Sequence, residues 1–96
     1  MKRYKTRPGV ILTEIVDEYF LVAAKALLEE CPYVMQINES SAFLWKHMEN
    51  GANLDELEKA VKDEYEIDDL ISARDLIVSF ISHMEDMHYI SIMNDD

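Results

Sequence analysis

The segment YVMQINESSAFLWKHME, residues 33–49, passes from a strand pattern to a helix pattern with no loop between them. Residues 33–37 are mostly aromatic, β-branched and other apolar residues, which favour an extended strand. Asn38 follows directly and is a preferred N-cap residue, because its side chain accepts a hydrogen bond from the first helical turn. Residues 42–48 then predict a helix with an apolar side. The segment therefore predicts a strand joined to a helix by a cap.

Two more strands are predicted upstream. Residues 10–16 and 19–24 are rich in β-branched and aromatic residues, and the acidic pair at 17–18 separates them, which indicates a β-hairpin. Residues 25–32 fit either one helical turn or an extended loop. Pro32 disfavours any helix that continues past it, so the chain is reset just before the third strand.

Two more helices are predicted downstream. Asn50 and Gly51 end the first helix, and Asn53 caps the second, residues 54–66. The third helix opens at Asp68 or Asp69 and runs to about residue 88. Apolar stripes at helical spacing support both helices: Leu54, Leu57, Val61 and Tyr65 in the second, and Leu70, Ala73, Ile77, Phe80, Met84 and Met87 in the third.

The predicted order is β-β-β-α-α-α, an α+β fold in which a three-stranded antiparallel sheet precedes three helices. The first two helices and their Asn-Gly turn predict a winged helix-turn-helix-like arrangement, with the strands as the wing. A chain of 96 residues is long enough for one domain. We expect this domain at residues 9–90, between a flexible basic tail at 1–8 and a frayed acidic tail at 91–96.

The charge of the chain is uneven. The formal net charge is −11, but the first eight residues hold four Lys and Arg and no acid, which leaves −15 for the other 88. Such an acidic body repels nucleic-acid backbones and attracts basic segments. The chain has no membrane-length apolar run, no signal-peptide pattern and a single cysteine. We therefore expect a cytoplasmic protein that does not associate with a membrane and has no internal disulfide.

The residues that usually carry catalysis or bind metals are poorly arranged. No Cys or His pair has metal-ligand spacing, and the two glycines form no phosphate-binding loop. We therefore predict no catalytic residues, no metal and no cofactor, and a protein that is not an enzyme.

Binding is the remaining prediction, and two features carry it. If the third strand lies at a sheet edge, it lacks the charges and prolines that usually protect edges, so it can accept an extended peptide. The third helix has more apolar residues than one stripe needs, and its extra flank would form the other wall of a groove. The candidate peptide-binding residues are Tyr33, Val34, Met35, Gln36, Ile37, Ile71, Arg74, Val78 and Ile81. Two structural alternatives stay open: residues 25–31 or a second copy cover the edge, and the helix flank is a wide core contact.

Four stretches together resemble the PqqD-like family: GVILTEIVDEYFLV (9–22), INESSAFLWKHMENG (37–51), LDELEKAVKDEYEID (54–68) and DLIVSFISHMEDMHYI (75–90). The resemblance covers about residues 8–90. Departures are small: Ile at 37 in place of Leu, Ser at 40 and 41 in place of Thr or Gly, and His88 where Gly is common.

The resemblance implies a function. Proteins similar to this one are peptide chaperones that bind the leader of a ribosomally made precursor peptide as an added strand beside the third strand, against the last helix. They present the precursor to a modifying enzyme, often a radical S-adenosylmethionine enzyme. The resemblance does not indicate which flank of the last helix contacts the leader. We expect the acidic body to favour leaders with Lys or Arg near the groove.

Three other interpretations stay open. One is a winged-helix DNA-binding regulator, which the acidic second helix disfavours. Another is a protein–protein interaction module of different purpose. The third is a homodimer through the third strand, which would compete with leader binding.

Overall fold

The computed structural model describes residues 2–25, 34–65 and 70–94. Within these residues the chain forms six strands and three helices, which confirms the α+β class. The strands and helices are β1 (Lys2–Thr6), β2 (Val10–Ile15), β3 (Glu18–Ala23), β4 (Val34–Ile37), α1 (Glu39–Met48), β5 (Ala52–Asn53), α2 (Leu54–Tyr65), α3 (Leu70–Asp86) and β6 (Ile90–Asn94). The predicted start of the third helix lies outside the described residues. None of the helices in these ranges is long and apolar enough to cross a membrane.

Strands β2, β3 and β4 form the predicted three-stranded antiparallel sheet, in that spatial order. The hairpin turn is Val16-Asp17, one residue earlier than expected, and both residues have positive φ, 47° and 65°. Positive φ at both central residues is typical of a type I′ turn, whose twist matches that of the paired strands. The matching twist accounts for a turn at Val16 and Asp17, although neither residue is a glycine.

The two predicted tails are the main correction to the fold. The segments Lys2–Thr6 and Ile90–Asn94, which we expected in a flexible tail and a frayed tail, are the strands β1 and β6, and they pair antiparallel along their whole length. With β5 they form a second sheet of order β5-β1-β6. Tyr4 packs against the core and Ile90 is buried. Burial of these apolar side chains stabilises both strands, although the charges near the two ends of the chain predicted tails. Met1, Asp95 and Asp96 lie outside the described residues.

Both predicted helix caps are formed. Asn38 is the N-cap of α1 and accepts a hydrogen bond from the backbone N–H of Ser41 at 2.8 Å. At α2, the Asn53 side chain accepts from the Glu56 N–H at 2.8 Å, and the Glu56 carboxylate accepts from the Asn53 N–H at 3.3 Å. This reciprocal pair is a capping box. Gly51 has a φ of 87°, which suits the residue that separates the two helices.

Helix α3 ends in a Schellman motif in which His88 has the positive φ that glycine usually adopts. His88 has a φ of 63°, the Tyr89 N–H donates to the Met84 carbonyl at 2.9 Å, and the His88 N–H donates to that of Glu85 at 3.0 Å. The motif turns the chain from α3 into β6.

One core joins the helices to both sheets. Trp45 of α1 and Tyr89 are almost fully buried and meet edge to face, with ring centroids 6.4 Å apart. The predicted stripes of α2 and α3 supply Leu57, Val61, Ala73, Ile77, Phe80 and Met84 to this core.

Candidate peptide-binding groove

Strand β4 lies at an edge of its sheet. Among the described residues it pairs with β3 alone, in a register that places Ile37 opposite Tyr19 and Val34 opposite Val22. About half of the backbone N–H and C=O groups of such a strand point away from its partner and can pair with an added strand. Val34–Ile37 contains neither a charge nor a proline, so the strand itself has none of the residues that usually protect an edge.

The side chains of β4 alternate between two environments. Met35 and Ile37 pack against the core, whereas Val34 and Gln36 are exposed on the opposite face of the sheet. The Asn38 cap follows immediately, so the direction of the strand is fixed by the helix that begins there. A peptide at this edge would therefore pair with a strand whose position is fixed by core packing and by the helix cap at its end.

A groove separates this edge from helix α3. One wall is Met35, Gln36 and Ile37, and the other is a flank of α3 formed by Leu76, Ser79, Phe80 and His83. The helical residues follow a spacing of three, four and seven, so they form one continuous line along α3. The groove encloses about 350 Å³. Of the described residues that line it, none is Asp, Glu, Lys or Arg, and His83 is the titratable side chain among them.

An apolar pocket opens beside the groove, between the three helices. Leu44, Val61, Tyr65, Leu76, Ile77 and Phe80 line it together with Ser40 and Ser41, and it encloses about 200 Å³. Because Ser41, Leu76 and Phe80 also line the groove, the two spaces are adjacent. The volume and lining suit one apolar side chain of a peptide that lies in the groove.

Tyr65 forms the rim of this pocket. Its ring packs edge to face on Phe43, with centroids 5.4 Å apart, and Phe43 in turn contacts the His47 ring. Partial burial raises the pKa of Tyr65 above its ordinary value, and the Glu39 and Glu64 carboxylates add to that rise. The phenol is therefore neutral at physiological pH, and it can donate a hydrogen bond at the pocket mouth.

The predicted site residues fall into three groups. Val34, Met35, Gln36 and Ile37 lie on the edge strand, as expected. Tyr33 lies outside the described residues, and the side chain of Ile71 does too. The remaining three do not form the wall opposite β4.

The helix flank that we expected in the groove does not line it. Arg74 bonds Glu58 and lies 3.6 Å from Asp55, both in α2; Val78 is on the outer surface; and Ile81 is buried in the core. At about 100° per residue from Leu70, the expected flank lies between about 20° and 100°, whereas the observed wall lies between about 180° and 280°. One signal in the sequence was Leu76, an apolar residue off the core stripe, and it is 54% exposed.

Two solved leader-peptide complexes have a similar fold. TbiB1 in complex with the TbiA(beta) leader peptide has a TM-score of 0.73 and 17% sequence identity, over 96% of this chain and 99% of that one. A lasso peptide synthetase B1 complexed with its leader peptide has a TM-score of 0.69 and 13% identity, over 95% and 98%. The fold expected from the PqqD-like resemblance is thus confirmed. No protein-family model and no curated protein matches the chain.

Proposed function

We propose that this chain binds the leader segment of a ribosomally synthesised precursor peptide by strand addition at β4 and presents the precursor to a modifying enzyme. The observation that carries the proposal is the edge of β4, which pairs with β3 alone among the described residues. It faces a groove whose described lining has no Asp, Glu, Lys or Arg, and an apolar pocket between the helices. The two structural relatives, each a complex with a leader peptide, support the same use of the fold.

The binding energy is divided between backbone and side chains. Hydrogen bonds to the β4 edge are independent of sequence and give the leader its direction and register. Ordering a flexible peptide costs several kcal/mol, so apolar contacts must offset that cost. One side chain of leucine size, fully buried in the pocket between the helices, contributes roughly 2 to 3 kcal/mol. A leader with one such anchor, spaced to reach Leu76 and Phe80, fits best.

The net charge of the chain attracts a leader over a longer distance than the contacts in the groove do. The described residues that line the groove include no Asp, Glu, Lys or Arg, whereas the whole chain carries a formal net charge of −11. The acidic surface therefore accelerates the approach of leaders that carry Lys or Arg, more than it strengthens the final contacts. It also disfavours nucleic acid as a partner.

The chain's own role is binding, and the chemistry belongs to the enzyme that receives the precursor. The PqqD-like resemblance suggests a radical S-adenosylmethionine enzyme in that position. Precursor peptides are made by ribosomes, so we place the encounter in the cytoplasm. A second copy that paired at the same edge would occupy the leader site, which makes a β4-mediated dimer a competitor of the leader.

An amide NMR titration tests this function. The probe is the synthetic leader of the precursor peptide encoded nearest to the gene of this chain. We expect saturable shifts at residues 34–37 and along Leu76, Ser79, Phe80 and His83, with smaller shifts elsewhere. Shifts centred on Arg74 and Val78, or no shifts up to millimolar peptide, would overturn the proposed site.

A further inference from the structure

Strand β6 is an edge strand of the other sheet. Among the described residues it pairs with β1 alone, from Ile90 opposite Thr6 to Asn94 opposite Lys2. About half of its backbone N–H and C=O groups therefore point away from β1 and can pair with an added strand. Its sequence, Ile90–Asn94, contains neither a charge nor a proline, so the strand itself has none of the residues that usually protect an edge.

A second groove lies between this edge and the end of α3. It encloses about 440 Å³, and its lining is Glu85, Asp86, His88, Ile90 and Ile92. Ile90 and Ile92 are alternate residues of β6, so both point to the same face of the sheet. The groove beside β4 has no acid among its described lining, whereas this second groove has two carboxylates and no Lys or Arg among the described residues that line it.

The end of α3 holds the two carboxylates beside the strand. Glu85 and Asp86 lie in the last turn of the helix, and the Schellman motif at His88 turns the chain directly into β6. Arg7 stabilises this turn, because its guanidinium donates to the His88 carbonyl at 3.0 Å and its backbone N–H donates to the Tyr89 carbonyl at 3.0 Å. The position of the acids relative to β6 is therefore fixed by hydrogen bonds to the backbone.

Acids at this end of a helix are electrostatically unfavourable for the chain itself. The C-terminus of a helix is the negative pole of its dipole, so carboxylates there add to a negative potential instead of offsetting it. Among the described residues, neither Glu85 nor Asp86 has a salt-bridge partner. A cation that entered the second groove would offset the charge of both carboxylates and of the helix end.

We infer that the β6 edge and the second groove form a docking site for an extended segment of a partner protein with Lys or Arg at alternate positions. Residues opposite each other on paired strands point to the same face, so segment residues opposite Ile90 and Ile92 point towards the two carboxylates. Backbone hydrogen bonds hold the segment as a strand, and the carboxylates select its charge. The site does not depend on leader binding, because its lining residues are not those of the groove beside β4.

A second copy of the chain suits this edge poorly. Its own β6, Ile90–Asn94, has no basic residue to place beside the carboxylates. Lys2 and Lys5 of β1 lie on the other side of β6, about 10 Å from an added strand. Two copies that each carry a formal net charge of −11 also repel each other. A basic segment of a different protein has neither disadvantage.

An amide NMR titration of the full chain at low salt tests this site. The probe is a short synthetic peptide in which Lys alternates with Val, and the control peptide has Glu in place of each Lys. One variant combines Glu85→Gln with Asp86→Asn, which removes acids from a helix C-terminus and so does not endanger the fold. The matched control combines Asp63→Asn with Glu64→Gln, two exposed acids of α2, and changes the net charge by the same amount.

We expect saturable shifts at residues 85–94 with the Lys peptide and none with the Glu peptide. The Glu85→Gln, Asp86→Asn variant should weaken binding about fivefold or more, and the α2 control less than twofold. No saturable shifts, shifts at residues 34–37 in place of 90–94, or equal weakening by both variants would overturn the inference. Dimers of the free chain whose dissociation shifts residues 90–94 would assign the edge to a second copy.

The two proposed sites can be separated in the same experiment. Saturation with the synthetic leader described above should leave the Kd of the Lys peptide within about twofold, since the two grooves share no lining residue. Displacement of the Lys peptide by the leader would overturn the second site. Failure of the chain to bind the leader, with the Lys peptide still bound at residues 90–94, would overturn the proposed function and leave this inference intact.

Discussion

Asn38 accepts a hydrogen bond at 2.8 Å from the backbone N–H of Ser41, and it is the residue that joins β4 to α1. The Ser40 hydroxyl also donates to the Asn38 side chain, at 3.0 Å. The strand that we propose to receive the leader therefore ends in the cap of a helix, and that helix carries the buried Trp45. A peptide that binds β4 binds a strand whose position is set by the core.

Removing this cap should cost stability. Asn38→Ala is expected to lower the free energy of unfolding by about 1 kcal/mol, because the Ser41 N–H loses its acceptor. Urea unfolding measures the change. Asn38→Asp keeps an acceptor and should stay close to wild type, and Asn50→Ala, beyond the other end of α1, is the matched control. Equal stability of the Asn38→Ala and Asn50→Ala variants would contradict the capping role.

The hairpin turn stores strain that a substitution can release. Val16 has a φ of 47° and is 88% exposed, and a β-branched residue adopts this conformation rarely. Val16→Asn should raise the free energy of unfolding by about 0.5 to 1 kcal/mol, since Asn tolerates positive φ and little packing is lost. The control is Ile15→Asn at the neighbouring exposed strand position, which should not stabilise. A higher urea midpoint for Val16→Asn alone is the expected result, and a lower one would argue against strain at this turn.

The ion pair between β1 and α2 should make stability depend on pH. The Arg3 guanidinium donates a 2.7 Å hydrogen bond to Glu56 and, with the Asn53 N–H, lowers the pKa of that carboxyl below its ordinary value. A lowered folded-state pKa gives stability that is present above the unfolded-state pKa and is lost as pH falls through the folded-state pKa.

Glu56→Gln isolates this effect, because glutamine can keep the capping contact to Asn53 without the charge. The wild-type chain should have the higher urea midpoint at pH 7, and the difference should vanish in acid. The difference should be small and reduced by salt, since the pair is largely exposed. A difference that persists below the pKa of the paired carboxyl would contradict the assignment.

Local patterns made much of this fold predictable. The Asn38 and Asn53 caps, the helical stripes and the alternation of the central strands depend on residues within one or two turns of each other, so single stretches of sequence indicated them. The pairing of β1 with β6 joins the two ends of the chain, so no single stretch of sequence indicates it. The charges at both ends predicted tails, whereas the strand pairing and the burial of Tyr4 and Ile90 show otherwise.

The groove was half predictable for a similar reason. The uncharged strand before the cap was predicted to accept a peptide if it lay at a sheet edge, and β4 lies at such an edge among the described residues. The choice between two flanks of α3 depends on how the helix is rotated against the sheet. Three extra apolar residues and one Arg on one flank outweighed Leu76 on the other. Ile81 completes the core instead, and Arg74 bonds Glu58 of α2.

The most direct test of the account compares two matched variants on opposite flanks of α3. Leu76 is 54% exposed and lines the groove, whereas Val78 is 47% exposed and lies on the outer surface. The leader Kd of each Asp variant is measured by calorimetry with the synthetic leader. The account predicts that Leu76→Asp weakens binding at least tenfold, which corresponds to about 1.4 kcal/mol, and that Val78→Asp changes it less than twofold. Strong weakening by Val78→Asp with little effect of Leu76→Asp would contradict it.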